Sequence, residues 1–63
     1  MKKYEVEEMA GDTPVSRITV IANTPWEAAT IATRKEVQVR RDEPSWVRVT
    51  EESSRGVYKY AFK

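Results

Sequence analysis

Apolar and polar positions alternate with a period of two from Lys3 to Met9, with Tyr4 and Val6 on one side and Lys3, Glu5 and Glu7 on the other. That is the pattern of a half-buried strand. Glu8 falls on the inward parity, so either the buried side ends at Val6 or a bulge intervenes. A second alternation runs from Val15 to Ala22, where Ile18, Val20 and Ala22 share one side and Arg17, Thr19 and Ile21 the other. Between the two, Ala10-Gly11-Asp12-Thr13-Pro14 is dense in turn formers and predicts a hairpin. The same period returns from Trp46 to Glu51, where Val47 and Val49 oppose Trp46, Arg48 and Thr50. It returns again from Val57 to Phe62, where Tyr58, Tyr60 and Phe62 form a ladder opposed to Val57, Lys59 and Ala61. The intervening Glu52-Ser53-Ser54-Arg55-Gly56 reads as a hairpin loop whose glycine is suited to the left-handed position.

The period changes once, at Thr24-Pro25-Trp26-Glu27-Ala28-Ala29-Thr30-Ile31-Ala32. Thr24 followed three residues later by Glu27 is a capping box, in which each side chain satisfies a backbone amide of the other. Pro25 then falls at the first helical position, where its missing N–H costs nothing. At 100° per residue, Ala28, Ile31 and Ala32 share one face with Ala29 on its border, Lys35 and Val39 continue the stripe, and Trp26 projects from the other side. Basic and β-branched residues from Arg34 onward place the helix end near Glu36 or Val37. Arg40-Arg41-Asp42-Glu43-Pro44-Ser45 follows as a polar loop, with Glu43 held extended by Pro44.

The expected fold is therefore α+β in the order ββαββ, residues 1–63 forming one small domain. One α-helix packs on one face of an antiparallel-rich four-stranded sheet. The expected core is Val6, Ile18, Val20, Val47, Val49, Ile31 and the alanines, joined by at least two of Tyr58, Tyr60 and Phe62.

Composition narrows the function classes. A chain of 63 residues buries only about 60% of its unfolded surface. With no cysteine there is no disulfide to add stability, and oligomerisation is the other common source. Eleven Lys+Arg against ten Asp+Glu is not the strongly basic balance of a dedicated nucleic-acid binder. Met1-Lys2-Lys3 is followed by acids where a signal peptide needs an apolar run, and no transmembrane segment is present. A cytoplasmic location and no membrane partner are expected.

Histidine is absent, which removes the commonest general base and metal ligand. Only Gly11 and Gly56 are present, far apart, so there is no phosphate-cradling loop. The acid pairs Glu7-Glu8, Asp42-Glu43 and Glu51-Glu52 fall on predicted loops or strand ends and read as solvated surface acids. Glu7 and Glu8, as strand neighbours, point to opposite faces and are not placed to chelate one ion. No enzyme activity, metal, cofactor or small-molecule substrate is expected.

Two surfaces carry the candidate chemistry. Arg34, Lys35, Arg40 and Arg41 form the most basic region. They suit either the negative end of the helix dipole or a phosphate or acidic partner, which Asp42 and Glu43 would blunt. The sheet face away from the helix presents Arg17, Thr19, Ile21, Trp46, Arg48 and Thr50, with Lys59 beside them. Cations interleaved with an aromatic suit single-stranded nucleic acid, a protein or dimer interface, or merely a tryptophan lying over its neighbours. Trp26 is expected to cap the hairpin end beside the helix start. The leading expectation is a non-enzymatic domain acting through a protein interface, as a homodimer or with another protein, centred on Arg17, Ile21, Trp46 and Arg48. The alternative is a single-stranded nucleic-acid module using the same face, with Arg34, Lys35, Arg40 and Arg41 on phosphates.

The strand ending in Val20-Ile21-Ala22, then Thr24-Pro25-Trp26-Glu27-Ala28-Ala29, then Trp46-Val47-Arg48-Val49, is similar in element order to the small podoviral inhibitors of bacterial RNA polymerase. The similarity covers residues 17 to 50 and implies a protein–protein binder that uses arginines on a strand. Only Arg48 stands in a comparable place, and Val57 to Phe62 has no counterpart. The chain also resembles short hypothetical proteins of bacterial genomes and prophages.

Overall fold

The computed structural model describes residues 1–63. The N-terminal alternation forms a hairpin of β1 (Lys2–Ala10) and β2 (Thr13–Ala22) around Gly11, whose φ of 62° is the left-handed conformation that glycine adopts without strain. A bulge falls between Glu8 and Met9. It leaves Val15 of β2 without a partner on β1, while Glu8 keeps the inward parity, opposite Val47, and is half-buried. β4 (Ser45–Glu51) and β5 (Val57–Phe62) form the second hairpin. There Arg55, with φ 63°, takes the left-handed position expected of Gly56.

Helix α1 spans Pro25–Thr33. The Glu27 amide donates to Thr24 Oγ1 at 3.1 Å, as a capping box requires, but the Glu27 carboxylate accepts from the Asn23 amide (3.0 Å) rather than from that of Thr24. The helix ends earlier than Glu36. Arg34 turns left-handed (φ 58°) and donates its N–H to the Thr30 carbonyl at 2.8 Å. Thr33 Oγ1 takes the Ala29 carbonyl (2.7 Å) and receives the Lys35 amide (3.3 Å), so side-chain bonds replace further helical turns. The β-branched Val37 and Val39 then enter a strand, β3 (Val37–Val39), and Val39 does not extend the helical stripe. The sheet thus has five strands, not four, all antiparallel, in the order β2-β1-β4-β5-β3.

The core lies between α1 and the sheet: Tyr4, Val6, Ala22, Ala28, Ala29, Val37, Val47, Val49 and Tyr60, with Val20, Ala32 and Phe62 packed against it. The alanines let the helix lie close to the strands. Two expected core residues are outside it. The buried arc of α1 runs through Ala28, Ala32 and Ala29, and Ile31 lies about 110° from its middle, leaving it 49% exposed. Ile18 is 48% exposed because β2 is an edge strand. No helix is long and apolar enough to cross a membrane.

The second hairpin carries a pH-sensitive lock. Glu51, expected as a solvated acid, is buried; its backbone closes the loop through Gly56 and Arg55 (2.9 and 2.8 Å). The hydroxyls of Ser54 and Ser53 and the Lys2 ammonium hold its carboxyl below the ordinary carboxylate range. A depressed carboxyl favours the fold fully above its unfolded value, and that contribution disappears as pH falls through the folded value. Stability is therefore expected to drop in acid, and Glu51→Gln to flatten that acid limb in denaturation midpoints measured across pH.

Candidate interaction surface

On the side of the sheet away from α1, strand register sets side chains in rows. One row runs Arg17, Glu7, Arg48, Lys59 across β2, β1, β4 and β5. Glu7 is 3% exposed, not the solvated acid expected. Arg48 Nε donates to its Oε1 at 2.9 Å, and Arg48 Nη2 lies 2.8 Å from the same oxygen. Arg17 Nη2 lies 3.4 Å from Oε2, while Arg17 Nε reaches Glu5 at 3.5 Å. Two guanidinium groups thus neutralise one buried carboxylate, the pairing that a charge in such a place requires.

The next row, Met9, Trp46 and Ala61, is buried. Trp46 is 4% exposed and so presents no open ring to a base or a partner. Its Nε1 donates to the Gly11 carbonyl at 2.7 Å, the Arg40 guanidinium lies 4.1 Å from the ring centroid, and Lys59 Nζ lies 5.7 Å from it. The Gly11 amide donates to the Pro44 carbonyl at 2.6 Å, and Arg40 Nε donates to the Glu43 carbonyl at 3.2 Å. The first hairpin turn and the loop before β4 therefore meet over Trp46 and close it off. Trp26 sets its ring edge-on to Tyr60 at 5.6 Å and stays 44% exposed.

The structure does not gather the expected centre into one patch. Arg17 and Arg48 meet through Glu7, but Ile21 is opposite Lys3 and Trp46 opposite Met9, roughly 20 Å apart along β1. The basic run is divided between the two faces. Arg34 caps α1, and Lys35 lies over Phe62 (5.0 Å) on the helix side, whereas Arg40 lies over Trp46 on the other. Arg41 gives its amide to Glu43 Oε1 at 2.7 Å, and that bond, with the amide of Glu43 itself, holds the Glu43 carboxyl below its ordinary value. No protein-family model matches the chain, and no curated protein or solved structure matches it.

What sequence reasoning missed is the edge. β2 has one neighbour, β1, and its outer side is unpaired along ten residues. Val15, Ile18 and Ile21 are exposed there, Val20 is half-buried, and Arg17 is the one charged residue. The opposite edge, β3, has only three residues, flanked by Lys35, Glu36, Arg40 and Arg41. Short length and flanking charge are how proteins blunt an edge, and β2 has little of either.

Proposed function

We propose that this chain is a non-enzymatic, cytoplasmic protein-binding module that works by strand addition along β2. The observation that carries the proposal is the asymmetry of the two edges. A ten-residue strand with exposed Val15, Ile18 and Ile21 stands unpaired, while the other edge is blunted. An added strand takes main-chain hydrogen bonds for affinity and packs alternate side chains for specificity. Arg17 and Ile21 of the expected centre belong to this surface; Trp46 and Arg48 support it from within the sheet.

The test is affinity capture from lysate on immobilised wild-type protein and on the Ile18→Lys/Ile21→Lys variant, with self-association followed in parallel. Both side chains are exposed, so the variant is expected to keep its fold. Partners, a second copy included, are expected on the wild type and to be lost from the variant. The same set on both proteins, or none on either together with a monomeric wild type, overturns the proposal.

A further inference from the structure

We infer that the occupant of the β2 edge is a second copy of this chain, paired antiparallel about a two-fold axis at Thr19. This inference rests on the strand-addition reading of β2 and names its partner.

Backbone direction follows from one bond. The Glu52 amide donates to the Lys3 carbonyl at 3.1 Å, so Lys3 turns its polar groups toward β4. In an antiparallel ladder these directions alternate residue by residue. Tyr4, Val6 and Glu8 therefore turn theirs toward β2, and their partners Val20, Ile18 and Ser16 turn theirs back. That leaves Arg17, Thr19 and Ile21 with amide and carbonyl both aimed outward from the sheet. A second β2 strand with Thr19 opposite Thr19 then sets Arg17 against Ile21 and Ile21 against Arg17. Every outward-turned residue of this stretch meets another outward-turned residue.

The side chains agree with the same register. On the helix side Ile18 comes opposite Val20, continuing an apolar strip beside the groove of about 320 Å³ that Val6, Ile18 and Ala32 help to line. On the other side Thr19 meets Thr19, a favourable cross-strand pair. Arg17, the only charge on β2, meets Ile21 rather than its own copy and stays on Glu7 and Glu5. A two-fold pairing also closes. Both long edges are consumed, and what remains at the ends of the joined sheet is, in each copy, the three-residue β3 and the first residues of β5 that β3 does not cover. Pairing β2 with β3 instead would match ten residues to three and leave an open edge to propagate. A standard interface buries about 800 Å² per partner, close to a fifth of this chain's 4245 Å². One strand edge buries less than that, so a reversible dimer is expected rather than a permanent one.

The experiment is sedimentation velocity over a wide concentration series on wild type, Thr19→Pro and Ile21→Lys. It is paired with oxidative cross-linking of Thr19→Cys and of Asp12→Cys, each the sole thiol in its protein. Wild type is expected to move from monomer to dimer. Thr19→Pro removes an outward amide and no β1–β2 bond, so it is expected to stay monomeric with an unchanged circular dichroism spectrum. Ile21→Lys tests the same edge without a proline. Thr19→Cys is expected to form a disulfide-linked dimer, since facing residues at this position come within disulfide reach, and Asp12→Cys to remain monomeric. A wild type that is monomeric at every concentration overturns the inference, and so does a dimer that survives both edge substitutions. If that monomer still captures another protein in a manner lost with Ile18→Lys/Ile21→Lys, strand addition at β2 stands and only the second copy is ruled out.

Discussion

Trp46→Ala is expected to remove a large share of the protein's folding stability. Truncating a buried tryptophan costs about 3–5 kcal/mol. At the usual stability per residue, a chain of this length has about 3–9 kcal/mol in total. The ring is also a junction. Its Nε1 is the donor for the Gly11 carbonyl, and the Arg40 guanidinium rests on its face. Without it, the turn after β1 and the loop before β4 keep only the Gly11–Pro44 backbone bond between them. Urea denaturation followed by far-ultraviolet circular dichroism measures the loss directly. Trp46→Phe, which keeps an aromatic ring but removes the donor, is expected to fall between the two. An alanine variant within about 1 kcal/mol of wild type would show that the loop and the turn hold without the ring, contrary to its burial. Loss of binding in Trp46→Ala therefore reports lost stability, and interface tests belong on β2.

The local pattern of the chain was legible where each element depends on neighbours in sequence. Period-two alternation located β1, β2, β4 and β5, and Thr24, Pro25 and Glu27 marked the start of α1. The end of α1 was not legible, because Arg34 adopts a left-handed conformation that glycine or asparagine would have announced. β3 was hidden because Val39 falls on the helical stripe as well as on a strand. The candidate surface depended on strand order, which alternation does not encode. Once β1 lies between β2 and β4, Glu7 faces two arginines at once, and Trp46 lies beneath a loop and a turn distant in sequence. The same order makes β2 an edge, turning Ile18 from a core residue into an exposed one. Parity along β1, β2, β4 and β5 was read correctly; burial at a given parity was set by which strand lay next to it.

Arg48→Ala is expected to cost about 3 kcal/mol, near the lower end for breaking a buried ion pair, because the carboxylate it leaves behind is buried. Both close contacts to Glu7 Oε1 come from Arg48, at 2.9 and 2.8 Å, and the carboxylate has almost no access to water. Arg17 does not replace it. Its 3.4 Å contact is looser, and its side chain is mostly in solvent, so Arg17→Ala is expected to cost less than about 1 kcal/mol. The asymmetry between two arginines on one carboxylate is the diagnostic result in urea denaturation. Added salt is expected to leave the Arg48→Ala loss largely in place, since buried charges are screened far less than exposed ones. The double substitution Glu7→Leu/Arg48→Leu removes the stranded charge together with its partner, and is expected to recover most of the lost stability. If it proves no more stable than Arg48→Ala, the loss comes from the packed stem of Arg48 along β4 and not from an unpaired Glu7.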